Sequence, residues 1–436
     1  MTLVVAKWLV TAADEPPRRD WAVRVLGDRI DRVGPTKELR TDHPDDPVHD
    51  ARGHIVMPGF VNAHVHLYGT LAHGIPNDDP PDGFWSFLED YWWPKVEDAL
   101  DHDMIAAAAD YVCAEMLRSG TTTFYDILEA PRAVPDALAV EKEVVEARGL
   151  RGLLSFEATE RAGPEAARLG LAENTGFIDS CKPGDLVGGL MCWHTTFTCS
   201  ADYIGEAFAA AQARGVMSHA HCNEGVHEGR WCEENVGKRT VELYDDLGVA
   251  GPDFVASQCV QLSDRERELI AERDVKVTHM PLANCEVGGG IAPIPELHAA
   301  GVTIGLGSDG YVNDFYEVMR GAFLVHKARL LDPGVMPAGV VLGMATEGGA
   351  AALGLDRVGR LQPGWSADLQ VVDAAFPTPV TEHNLFDQVV LWRNHTHVRD
   401  VMVAGAWRVL GNEVLDADLD QLRARTREQA LRLWSA

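Results

Sequence analysis

The sequence predicts an α/β protein, a (β/α)8 TIM barrel carrying a small β-sandwich-like domain built from both ends of the chain. Three observations lead there. The first fifty-odd residues read as short strands and turns; from Ile55 to about residue 310, eight short apolar runs alternate with helix-length stretches; and strand-like material returns after residue 360. In order, the N-terminal strands are expected at Leu3 to Val5, Trp21 to Leu26 and Ile30 to Val33, with a turn at Gly27-Asp28. The eight barrel strands are expected at Val56 to His64, Thr121 to Tyr125, Gly152 to Phe156, Val187 to Trp193, Val216 to His219, Phe254 to Gln258, Val275 to His279 and Val302 to Gly307. The helix before the second is explicit: Ile105, Ala108, Val112 and Met116 share one face, and Gly120 is placed to end it. Helices near Asn313 to Leu331 and Ala338 to Ala352 follow, then strands at Asp368 to Val372 and Val398 to Ala404, and a last helix from about Asp418. The expected division is residues 1–55 with 361–436 as the small β domain and 56–360 as the barrel.

Charge narrows the function. Lys and Arg number 38 and Asp and Glu 66 in 436 residues, a net −28 at pH 7. Without a local basic patch, such a chain repels nucleic-acid phosphates and anionic lipid, so the expected partner is a small molecule, with no nucleic acid and no membrane. The composition, 46% hydrophobic and 24% charged, is that of a globular protein. No apolar run approaches the roughly 18 residues of a membrane span, and Lys7, Asp14 and Glu15 interrupt any signal-peptide pattern. A cytoplasmic location and a homo-oligomer, dimer or higher, are expected. The eight cysteines include no Cys-x-x-Cys pair, so reduced thiols are expected rather than a zinc ribbon.

The chemistry concentrates at strand ends, where barrel active sites are built. His64 and His66 end the first barrel strand; two residues apart on an extended strand, they point the same way and can reach one metal ion. A His-x-His pair alone carries little weight. Here it is joined by His219-Ala220-His221 with Glu224 after strand five, His279 after strand seven, and Ser308-Asp309-Gly310 after strand eight. Tyr68, Asp126 and Glu157 follow strands one, two and three and are expected to line a pocket. The aromatic run from Phe84 to Trp93, after the acidic turn Asp78-Asp79-Pro80-Pro81-Asp82, reads as a lid or as a helix packed on the rim.

These segments resemble the amidohydrolase superfamily, in its cytosine-deaminase-like, chlorohydrolase and aminohydrolase branch. The resemblance runs essentially end to end and is carried by Met57 to His66, Ser218 to Glu224, His279-Met280-Pro281, Gly305 to Gly310 and Gly364 to Leu369. It implies metal ligands at His64, His66, His221 and Asp309, a proton-shuttling carboxylate at Glu224, and a substrate contact at His194. Dinuclear relatives use a lysine at the end of strand four; here that strand ends Cys192-Trp193-His194, so one divalent ion is expected, zinc or else Fe2+. The family's histidine after strand six is replaced by Gln258, which can hydrogen-bond but cannot carry a proton or charge. Either Gln258 or His279 is then expected to position the attacking water. Three imidazoles and a carboxylate lower the pKa of a water on such an ion to about 7, with Asp309 accepting its proton and Glu224 protonating the leaving nitrogen. The resemblance implies a hydrolase of non-peptide C–N bonds, foremost an aminohydrolase of a small neutral or cationic N-heterocycle or amidine-like compound. A dechlorinase, or a silent metal-binding scaffold, is the alternative.

Overall fold

The computed structural model describes residues 1–77 and 81–435. Its centre is two arcs of parallel strands, one of four and one of five, each strand separated from the next by helix. The first arc holds Phe60–Val65, Thr121–Leu128, Arg151–Phe156 and Val187–Gly189. The second holds Met191–Cys192, Ser218–Cys222, Phe254–Gln258, Lys276–His279 and Ile304–Leu306. The expected fourth strand is therefore divided between the arcs: Leu190 N donates to Leu154 O at 3.1 Å and Met191 N to Met217 O at 3.1 Å. At the other edge, Ser308 N and Asp309 N each donate to His64 O at 3.0 Å, and Asn62 clasps Ser308 through Nδ2 to Oγ (2.7 Å) and Ser308 N to Oδ1 (3.0 Å).

The first expected strand is also corrected. Val48–Pro58 belongs to a different sheet, and the parallel strand starts afresh at Phe60. Gly59 sits at the break because a Cβ there would lie 2.2 Å from the Thr122 side chain. Helix Ala338–Met344 likewise stops before Glu347–Ala352, where a single helix was expected.

Both chain ends enter one mixed, nine-stranded sheet. Thr2–Leu9 pairs with Trp21–Leu26 antiparallel and with Val48–Pro58 parallel, and Val48–Pro58 pairs with Leu369–Asp373 antiparallel. The central strand bridges the two termini edge to edge, which makes one continuous sheet where a sandwich-like pair was expected.

The predicted apolar face of the helix before the second parallel strand is real. In His102–Arg118, Ile105, Ala108, Val112 and Met116 are all buried, Asp101 caps the start by accepting from Met104 N at 3.0 Å, and Gly120 at φ +87 turns the chain into the next strand. The last helix, Leu419–Trp434, is capped by Asp418. Among the described residues, no helix is long and apolar enough to cross a membrane.

Candidate active site

His64 and His66 leave the C-terminal end of the first parallel strand, and His221 lies one residue before the end of Ser218–Cys222. One ring nitrogen from each lies within 4.8 Å of the others. The partners of the remaining nitrogens set the tautomers. A carbonyl and a carboxylate can only accept, so His66 Nδ1 donates to Ile127 O at 2.7 Å and His221 Nδ1 to Glu157 Oε1 at 2.6 Å, freeing both Nε2 atoms. Burial, then the neighbouring imidazoles of His221 and His66, keeps His64 neutral, far below the usual histidine range. At His221 burial disfavours the charge, yet the Glu157 carboxylate outweighs it and lifts the imidazole to about 9.

Asp309 follows Ile304–Leu306 in a left-handed backbone conformation, φ +59. Its Oδ2 is 3.8 Å from His64 Nε2 and its Oδ1 3.9 Å from His66 Nε2, while Gly310 N holds Oδ1 at 2.7 Å. Both His64 ring nitrogens are fully buried without a hydrogen-bond partner, a costly state for two polar atoms unless something else binds there. Three converging imidazoles and a carboxylate fit one divalent ion of the zinc type, which would take the place of the proton that Glu157 otherwise favours on His221. Among the described residues no lysine lines the cavity to bridge a second.

A cavity of about 440 Å³ opens onto this group. Glu224, in the turn before helix Val226–Asn235, lines it; burial and then the Asp309 carboxylate raise its carboxyl to about 8, leaving it protonated at neutral pH. Tyr68, Glu157 and His194 line it as expected. Tyr68 donates to Glu97 Oε1 at 3.0 Å, and His194 Nδ1 bonds Thr198 Oγ1 at 2.8 Å with burial pushing the ring to about 3. Glu157 is spent on His221. Gln258 also faces the cavity, donating from Nε2 to Asp309 Oδ2 at 2.7 Å.

Two expectations fail. Asp126 does not line the cavity: lying between Tyr125 and Ile127, which turn to the inner cluster, it faces the other way, buried, and accepts from Leu67 N at 2.7 Å. His279 is not brought to the cavity either. Its ring turns to the helix Phe315–Leu330, where Nε2 meets His326 Nε2 at 3.0 Å, so Gln258 and not His279 reaches Asp309. Arg161 is occupied by Glu97, Asp98 and Glu129 and lies over the Trp93 ring.

The aromatic run forms one wall. Phe84, Phe87, Leu88, Tyr91, Trp92 and Trp93 line the cavity, and Trp85 stacks on His227 at 3.8 Å, fastening the run to the helix Val226–Asn235. The preceding turn at Asp78, Asp79 and Pro80 lies outside the described residues. Sequence reasoning missed Glu97, Glu286 and His73 on the rim, and Asn284 behind Gln258; none sits in a spaced motif.

A protein-family model, the amidohydrolase family, matches residues 55–408. The chain belongs to this family. This amidohydrolase is 32% identical over 434 residues, 98% of its length and 97% of the relative's, to a 5-methylthioadenosine/S-adenosylhomocysteine deaminase of Syntrophobacter fumaroxidans. A 5'-deoxyadenosine deaminase of Methanothermobacter thermautotrophicus is 36% identical over 338 residues, 76% of each chain. A zinc-bound adenosine deaminase from Xanthomonas campestris superposes with a TM-score of 0.90 at 27% identity, covering 100% of this chain and 99% of that one. The amidohydrolase acts on C–N bonds other than peptide bonds, as its family and its deaminase relatives do.

Proposed function

We propose that this amidohydrolase is a mononuclear zinc-dependent deaminase of a small neutral or cationic amino-heterocycle, with adenosine-type nucleosides the first class to test. The two arcs are read as one closed (β/α)8 barrel and the mixed sheet as the small domain, with the boundary expected between residues 55 and 56 moved past Pro58, because Val48–Pro58 runs in the mixed sheet. The observation that carries the reading is the Glu224 carboxyl lining the same cavity as His66, His221 and Asp309.

His64, His66, His221 and Asp309 would hold a divalent ion, which would supply an activated water near neutral pH. The chain's own groups do the rest. Asp309 accepts the water's proton at its carboxylate, Gln258 fixes that carboxylate, and Glu224 gives its proton to the departing nitrogen, so that ammonia leaves. Neutral His194 presents a hydrogen-bonding edge to the substrate, and the aromatic wall gives a flat ring a stacking surface and excludes water. Among the described residues Glu97, Glu157, Glu224, Glu286 and Asp309 line the cavity and no Lys or Arg does, which disfavours a carboxylate or phosphate on the substrate.

The test is ammonia release by zinc-loaded protein on a panel of adenosine-type nucleosides, free purines, pyrimidines, pterins, triazines and guanidines. The expected result is turnover of an uncharged or cationic aminopurine. Activity confined to anionic compounds, or none from a zinc-replete sample, rejects the reading.

A further inference from the structure

Gln258 has a second partner. Its Nε2 donates to Asp309 Oδ2 at 2.7 Å, and its Oε1 accepts from Asn284 Nδ2. Asn284 lies on the short helix Pro281–Glu286 after strand seven, buried, anchored by its own N to Met280 O at 3.1 Å. A carboxylate only accepts, so the Gln258 amide must turn its NH2 to Asp309; the oxygen then left facing inward needs a donor, and Asn284 is the group that supplies one. The chain of bonds runs one way, from Asn284 through Gln258 to Asp309. The backbone supports it at a cost: Gln258 and Cys259 are consecutive non-glycine residues at φ +71 and +51, a strained pair held by Cys259 N to Cys222 O (2.9 Å) and Val260 N to Asn223 O (3.1 Å). The unpaired Asn284 Oδ1, also buried, leaves the residue with no other side-chain bond than the one to Gln258 among the described contacts.

We propose that Asn284 is a positioning residue that locks the Gln258 amide with its NH2 toward Asp309, so that two neutral amides hold the carboxylate where an imidazole would. It rests on Asp309 acting as metal ligand and proton acceptor. Two substitutions probe it. Asn284→Asp keeps the shape but replaces the donor by an acceptor, so Gln258 is asked to donate in two directions at once; Asn284→Leu removes the donor. Each is measured alone, and Asn284→Leu again in a Gln258→Met background, for kcat, KM and the rate of zinc release to a chelator. The expected result is a fall in kcat of about 10-fold for Asn284→Leu and about 30-fold or more for Asn284→Asp, with KM within about threefold and zinc release faster in both. In the Gln258→Met background Asn284→Leu should change neither kcat nor zinc release further, since two apolar side chains then face each other. Wild-type behaviour in Asn284→Asp, or losses that multiply in the double variant, overturns the proposal and leaves Asn284 a packing residue. The zinc-release arm needs no substrate. A protein that deaminates nothing on the panel, yet shows the non-additive zinc release, refutes the deaminase reading and keeps this one.

Discussion

Glu224 holds its proton at neutral pH because burial and the Asp309 carboxylate both oppose its charge. Replacing it by Gln keeps the shape and removes the donated proton. Glu224→Gln should retain one zinc by metal analysis while kcat falls on the order of 10²-fold or more; near-normal turnover would reassign Glu224 to structure. His64, His66 and His221 were legible because a strand repeats its side-chain direction every second residue, and Glu224 and Asp309 because they sit beside strand ends. Asp126 and His279 met the same criterion and were misread, since strand-end position does not say which face a side chain takes. Asn284 and Glu97 carry no spacing signal: only the packing of elements apart in sequence brings Asn284 to Gln258 and Glu97 to Tyr68.

At the scale of elements, the first and last parallel strands meet through Asn62 and Ser308, whose two side-chain hydrogen bonds are buried. Asn62→Ala leaves Ser308 N and Oγ short of these partners beside the strand end that carries His64. It should destabilise the protein by about 2 to 4 kcal/mol in urea unfolding; a loss under about 0.5 kcal/mol would mean the seam is held by backbone bonds alone. A second element contact is the His279–His326 pair between strand seven and the helix Phe315–Leu330. Burial lowers His326 from 6.5 to about 4 and, with the neighbouring His326 and Arg329 charges, holds His279 well below its ordinary value. Both are therefore neutral when folded but protonate near 6.5 when unfolded. The His326 contribution is intact above pH 6.5 and is lost as pH falls through about 4, and that of His279 is lost in the same direction. The urea midpoint of His326→Phe should thus depend less on pH between 6.5 and 4.5 than that of the wild type; equal slopes would show that neither histidine is linked to unfolding there.

Over the whole molecule, a net charge of −28 and a cavity walled by carboxylates act in the same direction. A cationic substrate is drawn in at low ionic strength, and screening shortens that reach from ~30 Å at 0.01 M salt to ~8 Å at 0.15 M. KM for a cationic substrate should rise several-fold over this range while KM for a neutral analogue stays constant. Parallel rises in both would place the salt effect on the protein rather than on the encounter.

The alternation of short apolar runs with helices, the terminal strands and the strand-end histidines follow from local rules: side-chain period, turn residues and the burial a parallel sheet imposes on both its faces. That much the sequence by itself determined, including the strand-end positions of the histidine trio; that Gln258 stands in place of an imidazole is what the resemblance to the family implies. Only the tertiary structure decided that Gly59 divides one apolar run between two sheets, that Val48–Pro58 joins the strands of the two chain ends, that His279 turns to His326, and that Asn284 stands behind Gln258. Each of these depends on a contact between residues distant in sequence or on the facing of one side chain, and neither is encoded in local periodicity.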